Sequence, residues 1–415
     1  MMFALFTYLQ IFAMPCLNVL LYLFPDIITY KVWVGFIGCV SFVLFCHELM
    51  FRKFDHKKTA VACIAWLLLI LLYVSSKDYY PIVSYKYYSF LLVISLQITP
   101  IILCAVIVAQ ENDTQEKIKQ LSPYFGIAFT IISFIAAFFP SGSVNGGYLA
   151  TDNGLNYQTN SYLAAYASAC SYYYLLNFKT FQWRGFFRKR YVYNIVLASI
   201  VVNLLSIFVS GGRGGLVLFV CQTLMAIWFL VKNNNSYKIR SIHIFGGVCV
   251  ITGILVFAIH FAETSSLKTN GFERIVATVE TGDSNGRDII RKRALDAFEK
   301  SPIIGHGIGS VFNEIGEYSH NCITDSLVEG GIVGTIIYVL VIGVAFFKLY
   351  KRARLYNDEY IWLAFIVNGL VLSLFSGYYL TQLPICWCTA FAYSLTSINK
   401  SKSKLYRQAY NAKRL

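Results

Sequence analysis

The chain has 415 residues, of which 57% are hydrophobic and only 13% are charged, and its formal net charge is +14. Soluble domains are about 45–50% apolar and about 25% charged, and a single soluble core stops growing near about 300 residues. This composition excludes a soluble enzyme, a nucleic-acid-binding protein and a disordered scaffold as first interpretations. It indicates an integral membrane protein.

Apolar stretches of about 17–25 residues, the length that crosses a bilayer core, predict the membrane spans. Twelve such stretches lie at residues 3–24, 32–51, 60–76, 88–109, 124–140, 161–177, 192–209, 215–231, 243–262, 330–347, 360–376 and 383–398. The least typical are the sixth, which is rich in Tyr and Ser, and the last, which is short and contains Pro384. The spans hold few ionisable residues and no internal repeat is visible, which argues against a transporter.

The distribution of Lys and Arg predicts the orientation of these spans. Loops on one side hold 24 of the basic residues and loops on the other side hold 11. The richer side is expected to be cytoplasmic, which places both termini inside and the long loop outside. The predicted organisation is nine spans in 1–262, a large periplasmic loop at 263–325, and three spans with a basic cytoplasmic tail in 326–415.

The large loop contains the segment DSNGRDIIRKRALDAFEKSP, which predicts a helix capped by Ser284 or Asn285 and stopped by Pro302. Its apolar residues fall at helical spacing: Ile290, Ala294, Ala297 and Phe298. Arg287 and Arg291 are four residues apart and border this apolar stripe. Two guanidinium groups on one face suit a polyanion such as a diphosphate. The alternative is an amphipathic helix on the membrane surface, with its arginines on lipid phosphates.

His320 and Asn321 stand where the loop returns to the membrane, after a Gly-rich stretch with the sequence GHGIGSVF. A histidine at this edge can act as a general base near neutral pH. The alternative is an interfacial histidine that caps a helix.

Two further external segments are candidates for substrate contact. Arg213 lies in the short turn SGGRGG between the seventh and eighth spans, where it can face an external phosphate or simply snorkel to the interface. The outer loop 141–160 is rich in Asn, Gly, Tyr, Gln, Ser and Thr. It is either a sugar-contacting surface or a flexible polar linker.

In this order, these segments resemble the O-antigen ligase and O-antigen polymerase family of bacterial inner-membrane glycosyltransferases. The family signature is matched by His320, Asn321, nine further residues, and Gly331-Ile-Val-Gly334. The turn that carries Arg213 and the loop residue Arg287 resemble the basic positions of the family. The detailed resemblance covers residues 205–345, and the rest of the chain resembles the family in span number and topology.

The resemblance implies an all-α, GT-C-like polytopic bundle that uses an undecaprenyl-diphosphate-linked oligosaccharide. Arg213 and Arg287, with Arg291, would bind the diphosphate, and His320 would deprotonate the acceptor hydroxyl. Asn321, Gly331 and Gly334 would support the site. The reaction is expected to invert the anomeric carbon without a metal or another cofactor. Membrane lipids and a chain-length-determining co-polymerase are expected partners, and nucleic acid is not.

Three activities fit these features. The first is a polymerase that joins lipid-linked repeat units of O-antigen or capsular polysaccharide. The second is a ligase that transfers finished chains to lipid A-core, as the intact signature indicates. The third is a flippase for lipid-linked sugars, which would need polar groups inside the spans and would tolerate loss of Arg213 or His320.

Overall fold

The computed structural model describes residues 2–13, 16–17, 30–51, 60, 64, 93–138, 157–233 and 287–395. Predicted span 243–262, nearly all of span 60–76, most of the polar outer loop 141–160, the loop segment 263–286 and the basic tail 398–415 lie outside these residues. Within the described part, the chain forms α-helices and short 3₁₀ and π turns, with no β-strand. The predicted all-α fold class is confirmed.

The described residues form twelve α-helices. In chain order they are α1 (Met2–Ile11), α2 (Tyr30–Phe51), α3 (Thr99–Gln110), α4 (Asn112–Phe138), α5 (Tyr157–Asn177), α6 (Arg190–Ser210), α7 (Arg213–Asn233), α8 (Arg287–Lys300), α9 (Val311–Glu314), α10 (Cys322–Leu355), α11 (Tyr360–Phe375) and α12 (Leu383–Ser394). A π-helical turn, Val93–Ile98, leads into α3. Ten of the helices overlap predicted spans, while α8 and α9 belong to the large loop.

Six of the described segments are long and apolar enough to cross a membrane. They are α4, α6, α7, α10, the π turn with α3, and α11 with the 3₁₀ turn before it. The later part of α10 exposes large aliphatic side chains, including Ile336, Ile337 and Leu340. Exposed apolar side chains along a long helix suit contact with lipid rather than water. The chain is therefore a polytopic helical membrane protein.

Helix α5 is the centre of the bundle, although its sequence is the least apolar of the predicted spans. It packs against α4, α6, α7 and α11. Some of its hydroxyl groups bond to neighbouring helices: Ser171 Oγ lies 3.0 Å from Ser199 Oγ, and Tyr172 Oη lies 2.7 Å from Thr223 Oγ1. Because protein rather than lipid surrounds this helix, it can carry Tyr and Ser residues.

Two helices extend well beyond the predicted spans. Helix α4 begins twelve residues before the predicted start at 124, and α10 begins eight residues before the predicted start at 330. Hydropathy detects only the apolar part of a helix, whereas the backbone hydrogen bonds continue through polar residues. Both extensions matter because they carry charged residues that join helices together.

A cluster of buried ion pairs marks one end of the bundle. Lys119 Nζ lies 2.6 Å from an Asp358 oxygen and 2.8 Å from a Glu359 oxygen, and Arg352 Nε lies 3.0 Å from the other Glu359 oxygen. The cluster joins α4 to the junction of α10 and α11. Helix α11 runs from this cluster to Phe375, a distance of about 24 Å for sixteen residues. Its far end is where the candidate site residues meet.

Candidate active site

Helix α10 is interrupted at Gly331, where φ is +58° and ψ is −158°. Glycine adopts this backbone region readily, and other residues do so only with strain. A Cβ atom at this position would lie 2.4 Å from the carbonyl oxygen of Ile303. The break divides α10 into a short segment, 322–330, and a long segment, 332–355. The first glycine of the signature is therefore a structural requirement.

The Gly-rich stretch before the signature packs directly against this break. Four backbone hydrogen bonds of 2.8–3.1 Å join them, from His306 N to Val328 O, from Gly307 N to Glu329 O, from Ile332 N to Pro302 O and from Val333 N to Ile303 O. These bonds satisfy amide and carbonyl groups that the interrupted helix leaves without helical partners. Residues 302–307 thus supply the hydrogen-bond partners that α10 lacks at its break, and these bonds fix the position of its short segment.

His320 lies in a tight turn immediately before α10. Its φ is +60°, and among the described residues it is the single non-glycine with a positive φ. The side chain of the next residue, Asn321, caps α10 by accepting hydrogen bonds from the amides of Ile323 and Thr324 at 3.0 and 3.2 Å. Asn321 is therefore the helix cap, and a capping role does not account for His320.

Tyr318 connects the histidine electrostatically to an arginine. The rings of Tyr318 and His320 meet edge to face, with centroids 4.4 Å apart. Burial raises the pKa of Tyr318, the negative charges of Asp325 and Glu317 raise it further, and the positive charge of Arg287 lowers it. Tyr318 is thus in contact with the imidazole and within electrostatic range of the Arg287 guanidinium.

The last turn of α11 is a shared contact point for the candidate residues. Arg287 Nη1 donates a hydrogen bond of 3.1 Å to the carbonyl oxygen of Phe375. Asn321, the neighbour of His320, donates from Nδ2 to the carbonyl oxygen of Leu374 at 3.4 Å. Arg287 and the His320 turn are therefore attached to adjacent residues of one helix.

The turn that carries Arg213 reaches the same helix end. Helix α6 ends with Gly211 in a left-handed conformation, and Arg213 is the first residue of α7. A Cβ atom on Gly214 would lie 3.3 Å from Phe375 Cβ and 1.9 Å from Tyr162 Oη. Only glycine permits this close approach, which brings the start of α7 against the end of α11.

Three helices begin at this end of the bundle. Arg213, Arg287 and Cys322 are the first residues of α7, α8 and α10. A helix amino terminus carries a partial positive charge and amide groups without helical partners, so it favours anions. Together with two guanidinium groups, these termini make a region suited to a diphosphate.

The structure gives less support to two other predicted residues, Arg291 and Gly334. Arg291 is exposed on α8, one turn beyond Arg287. The predicted apolar stripe of α8 is confirmed, since Ala294 and Ala297 are buried and the helix packs against α10. This stripe therefore contacts protein, in contrast to the alternative of a helix lying on the membrane. A Cβ atom on Gly334 would meet nothing within 4 Å, so the structure gives this glycine no steric role.

Two buried carboxylates on the short segment of α10 were not predicted as site residues. Asp325 accepts a hydrogen bond from the backbone amide of Ser319 at 2.6 Å. Glu329 accepts hydrogen bonds from Tyr378 Oη at 2.8 and 2.9 Å and from Tyr379 Oη at 2.8 Å. Two acids four residues apart in a largely apolar helix were a signal in the sequence, because buried charges require specific partners.

The described geometry defines a helical membrane protein with a cationic, histidine-containing site at one end of its bundle. Residues 198–339 match a protein-family model described as O-antigen ligase. The matched range includes Arg213, Arg287, His320 and Gly331, and it supports the predicted resemblance to the O-antigen polymerase and ligase family. Comparison with curated proteins finds no significant match.

Proposed function

We propose that the protein polymerises lipid-linked repeat units of O-antigen or capsular polysaccharide. The observation that carries the proposal is the meeting of three segments at the last turn of α11. Arg287 binds Phe375, Gly214 next to Arg213 packs against Phe375, and Asn321 next to His320 binds Leu374. The family match, which does not distinguish polymerase from ligase, is consistent with this chemistry.

The proposed donor is a saccharide linked to undecaprenyl diphosphate. Arg213 and Arg287 bind the diphosphate and stabilise the negative charge that develops on it as it leaves. The amino termini of α7 and α8 add their partial positive charges. Arg291 is a weaker candidate for the same role, because its side chain points to solvent.

The proposed reaction is one direct displacement at the anomeric carbon. The acceptor hydroxyl oxygen forms a bond to that carbon while the bond from the carbon to the diphosphate oxygen breaks. His320 takes the hydroxyl proton, and undecaprenyl diphosphate leaves. A single displacement inverts the anomeric configuration, and in this proposal the arginines, rather than a metal ion, stabilise the leaving group.

The proposed function implies where the protein lies, how it is oriented and which partners it has. A donor on the outer leaflet requires the site to face the periplasm, so the ion-pair end with Lys119 faces the cytoplasm. Both termini are then cytoplasmic and the protein lies in the bacterial inner membrane, as the distribution of basic residues predicts. A chain-length-determining co-polymerase is a further expected partner.

The second candidate is a ligase that transfers the finished polysaccharide to lipid A-core. The intact signature from His320 to Gly334 and the family description favour this candidate. The chemistry at the donor is the same in both reactions. They differ only in the acceptor, which is a second lipid-linked saccharide for the polymerase and a core sugar for the ligase.

A gel of surface polysaccharide from a strain lacking the gene separates these functions. We expect lipid A-core with a single repeat unit, and restoration of the ladder by the wild-type gene but not by His320→Ala. Core without any repeat, together with accumulated lipid-linked polymer, would identify the ligase instead. An unchanged ladder in the deletion strain would contradict both functions and favour a flippase or an unrelated role.

The matched control for this experiment is His306→Ala. His306 lies in the same external region, but its Nε2 lies 2.8 Å from the Ala297 carbonyl oxygen and its role is structural. We expect His306→Ala to restore the ladder to the extent that the protein accumulates. His320→Ala should accumulate normally and still fail, because loss of a general base costs about 10²–10⁴-fold in rate.

A further inference from the structure

Asp325 is a buried carboxylate for which the proposed chemistry has no direct use. Its side chain is fully buried in the first turn of α10. Oδ1 accepts the hydrogen bond from the Ser319 amide, and Oδ2 has no hydrogen-bond partner among the described residues. A buried carboxylate is costly unless it is compensated, so its presence beside the signature calls for an explanation.

The contacts of Asp325 close a turn around His320. The backbone amide of Asp325 donates to the carbonyl oxygen of Asn321 at 2.9 Å, as in a regular helix start. Ser319 Oγ donates to the same carbonyl oxygen at 3.1 Å. Ser319 and Asn321, on either side of His320, are thus both bonded to the first turn of α10. The hydrogen bond from the Ser319 amide to the Asp325 carboxylate spans the turn.

This turn must be held because its central residue is in an unfavourable conformation. A positive φ is uncommon for a residue other than glycine, and such a conformation persists only when surrounding contacts impose it. His320 has this conformation, and its imidazole contacts the Tyr318 ring edge to face. If the turn relaxed, the imidazole would leave this position.

We infer that Asp325 is a positioning residue for His320. Its carboxylate fixes the Ser319 amide and thereby keeps the His320 backbone in the left-handed conformation that orients the imidazole toward the acceptor hydroxyl. The inference rests on the proposed function, since it assigns His320 the role of general base.

The test compares Asp325→Asn, Asp325→Leu and Asp325→Glu in the full-length protein purified in detergent. Asn keeps an acceptor oxygen at the position of Oδ1, Leu removes it at similar volume, and Glu keeps the charge but moves the carboxylate. The substrate is the lipid-linked saccharide extracted from cells that lack the gene. Rates are measured per folded protein over a range of donor concentrations, which separates kcat from KM.

We expect Asp325→Leu to lower kcat by about 100-fold while the donor KM changes less than about threefold, because misplacing a catalytic group by about 1 Å costs about 10² in rate. Asp325→Asn should retain kcat within about tenfold of the wild type, since it keeps the hydrogen bond. The kcat of Asp325→Glu should decrease about as much as that of Asp325→Leu. If Asp325→Leu does not fold, Asp325→Glu can be compared with Asp325→Asn in its place.

The control is Ser326→Ala, which removes a buried polar atom from the same helical turn. Ser326 Oγ donates to the Ile323 carbonyl oxygen and accepts from Thr335 Oγ1, and neither partner belongs to the His320 turn, so this variant should keep its activity. Full activity of Asp325→Leu, a raised KM with unchanged kcat, or equal loss in Asn and Leu would each overturn the positioning role.

His320→Ala, measured in parallel, separates this inference from the proposed function. An active His320→Ala variant would refute the general-base role and with it the proposed function. An inactive His320→Ala variant beside a fully active Asp325→Leu variant would refute only the positioning role.

Discussion

Arg287 is attached to Phe375 by a hydrogen bond of 3.1 Å from its guanidinium Nη1 to the main-chain carbonyl oxygen. The carbonyl groups at the end of α11 carry a partial negative charge, so they favour and orient the cation. This bond uses one of five guanidinium donors, and the planar group is thereby fixed in direction. The arginine is held in place before any anion binds.

The first prediction compares Arg287 with Arg291, which lies four residues later on α8. Arg287→Ala and Arg287→Lys should each lower the polymerisation rate by about 10²–10³-fold, as for loss of a donor that stabilises developing charge, because Lys cannot reproduce the fixed planar group. Arg291→Ala should reduce the rate by less than about threefold, as for an exposed charge. Rates with extracted lipid-linked saccharide measure the difference, and equal losses at both positions would contradict the geometry.

The second prediction concerns the two glycines of the signature. Gly331→Ala should lower the free energy of unfolding by at least about 2 kcal/mol, because alanine strains the backbone and its Cβ atom overlaps Ile303. Gly334→Ala should leave stability unchanged or raise it by up to about 1 kcal/mol, since the position is open and helical. Thermal unfolding in detergent gives both values. The idea fails if Gly334→Ala is the more damaging change.

The third prediction tests the bond between Glu329 and Tyr379. Glu329→Leu removes the acceptor of both tyrosine hydroxyl groups, and Tyr379→Phe removes one of the hydrogen bonds to Glu329, so each change should destabilise the protein by about 1–3 kcal/mol. In a double-mutant cycle with Glu329→Gln, the coupling energy should be about 0.5–3 kcal/mol. Chemical or thermal unfolding of the four proteins measures it. Additive effects would show that the two side chains do not interact.

The fourth prediction uses two lysines two residues apart on α4. The Lys119 side chain is 5% exposed and bridges Asp358 and Glu359, whereas the Lys117 side chain is 42% exposed and pairs with Asp113 at 2.5 Å. Lys119→Met should destabilise the protein by about 3–5 kcal/mol, because it removes the cation from Asp358 and leaves Glu359 with Arg352 alone. Lys117→Met should cost less than about 1 kcal/mol. Melting temperatures of the two variants in the same detergent provide the comparison.

Much of the fold follows from the sequence because membrane spans are set by apolar length. The helix around Arg287 was also predictable, since its apolar residues recur at helical spacing and Pro302 stops it. The central position of α5 was not predictable, because a Tyr- and Ser-rich helix can be placed only once its neighbours are known. The starts of α4 and α10 were missed because a hydropathy pattern does not detect helical turns made of polar residues.

For the candidate site, the sequence identifies residue types but not their contacts. His320 stands out because it begins the family signature, and Arg213 and Arg287 stand out because they resemble the basic positions of the family. The carbonyl groups of Leu374 and Phe375 could not be found in this way, since every residue has a backbone carbonyl. Asp325 and Glu329 were visible as acids in an apolar helix, but their partners Ser319, Tyr378 and Tyr379 come from other segments and become evident only in three dimensions.

The break in α10 has a consequence for the construction of chimeras. The amide and carbonyl groups around Gly331 are satisfied by residues 302–307, which belong to the preceding loop. A graft of the loop alone, or of the span alone, would separate donors from their acceptors at the membrane boundary. A segment exchanged between homologous proteins should therefore include all of residues 302–333, so that its boundary falls after the break in α10.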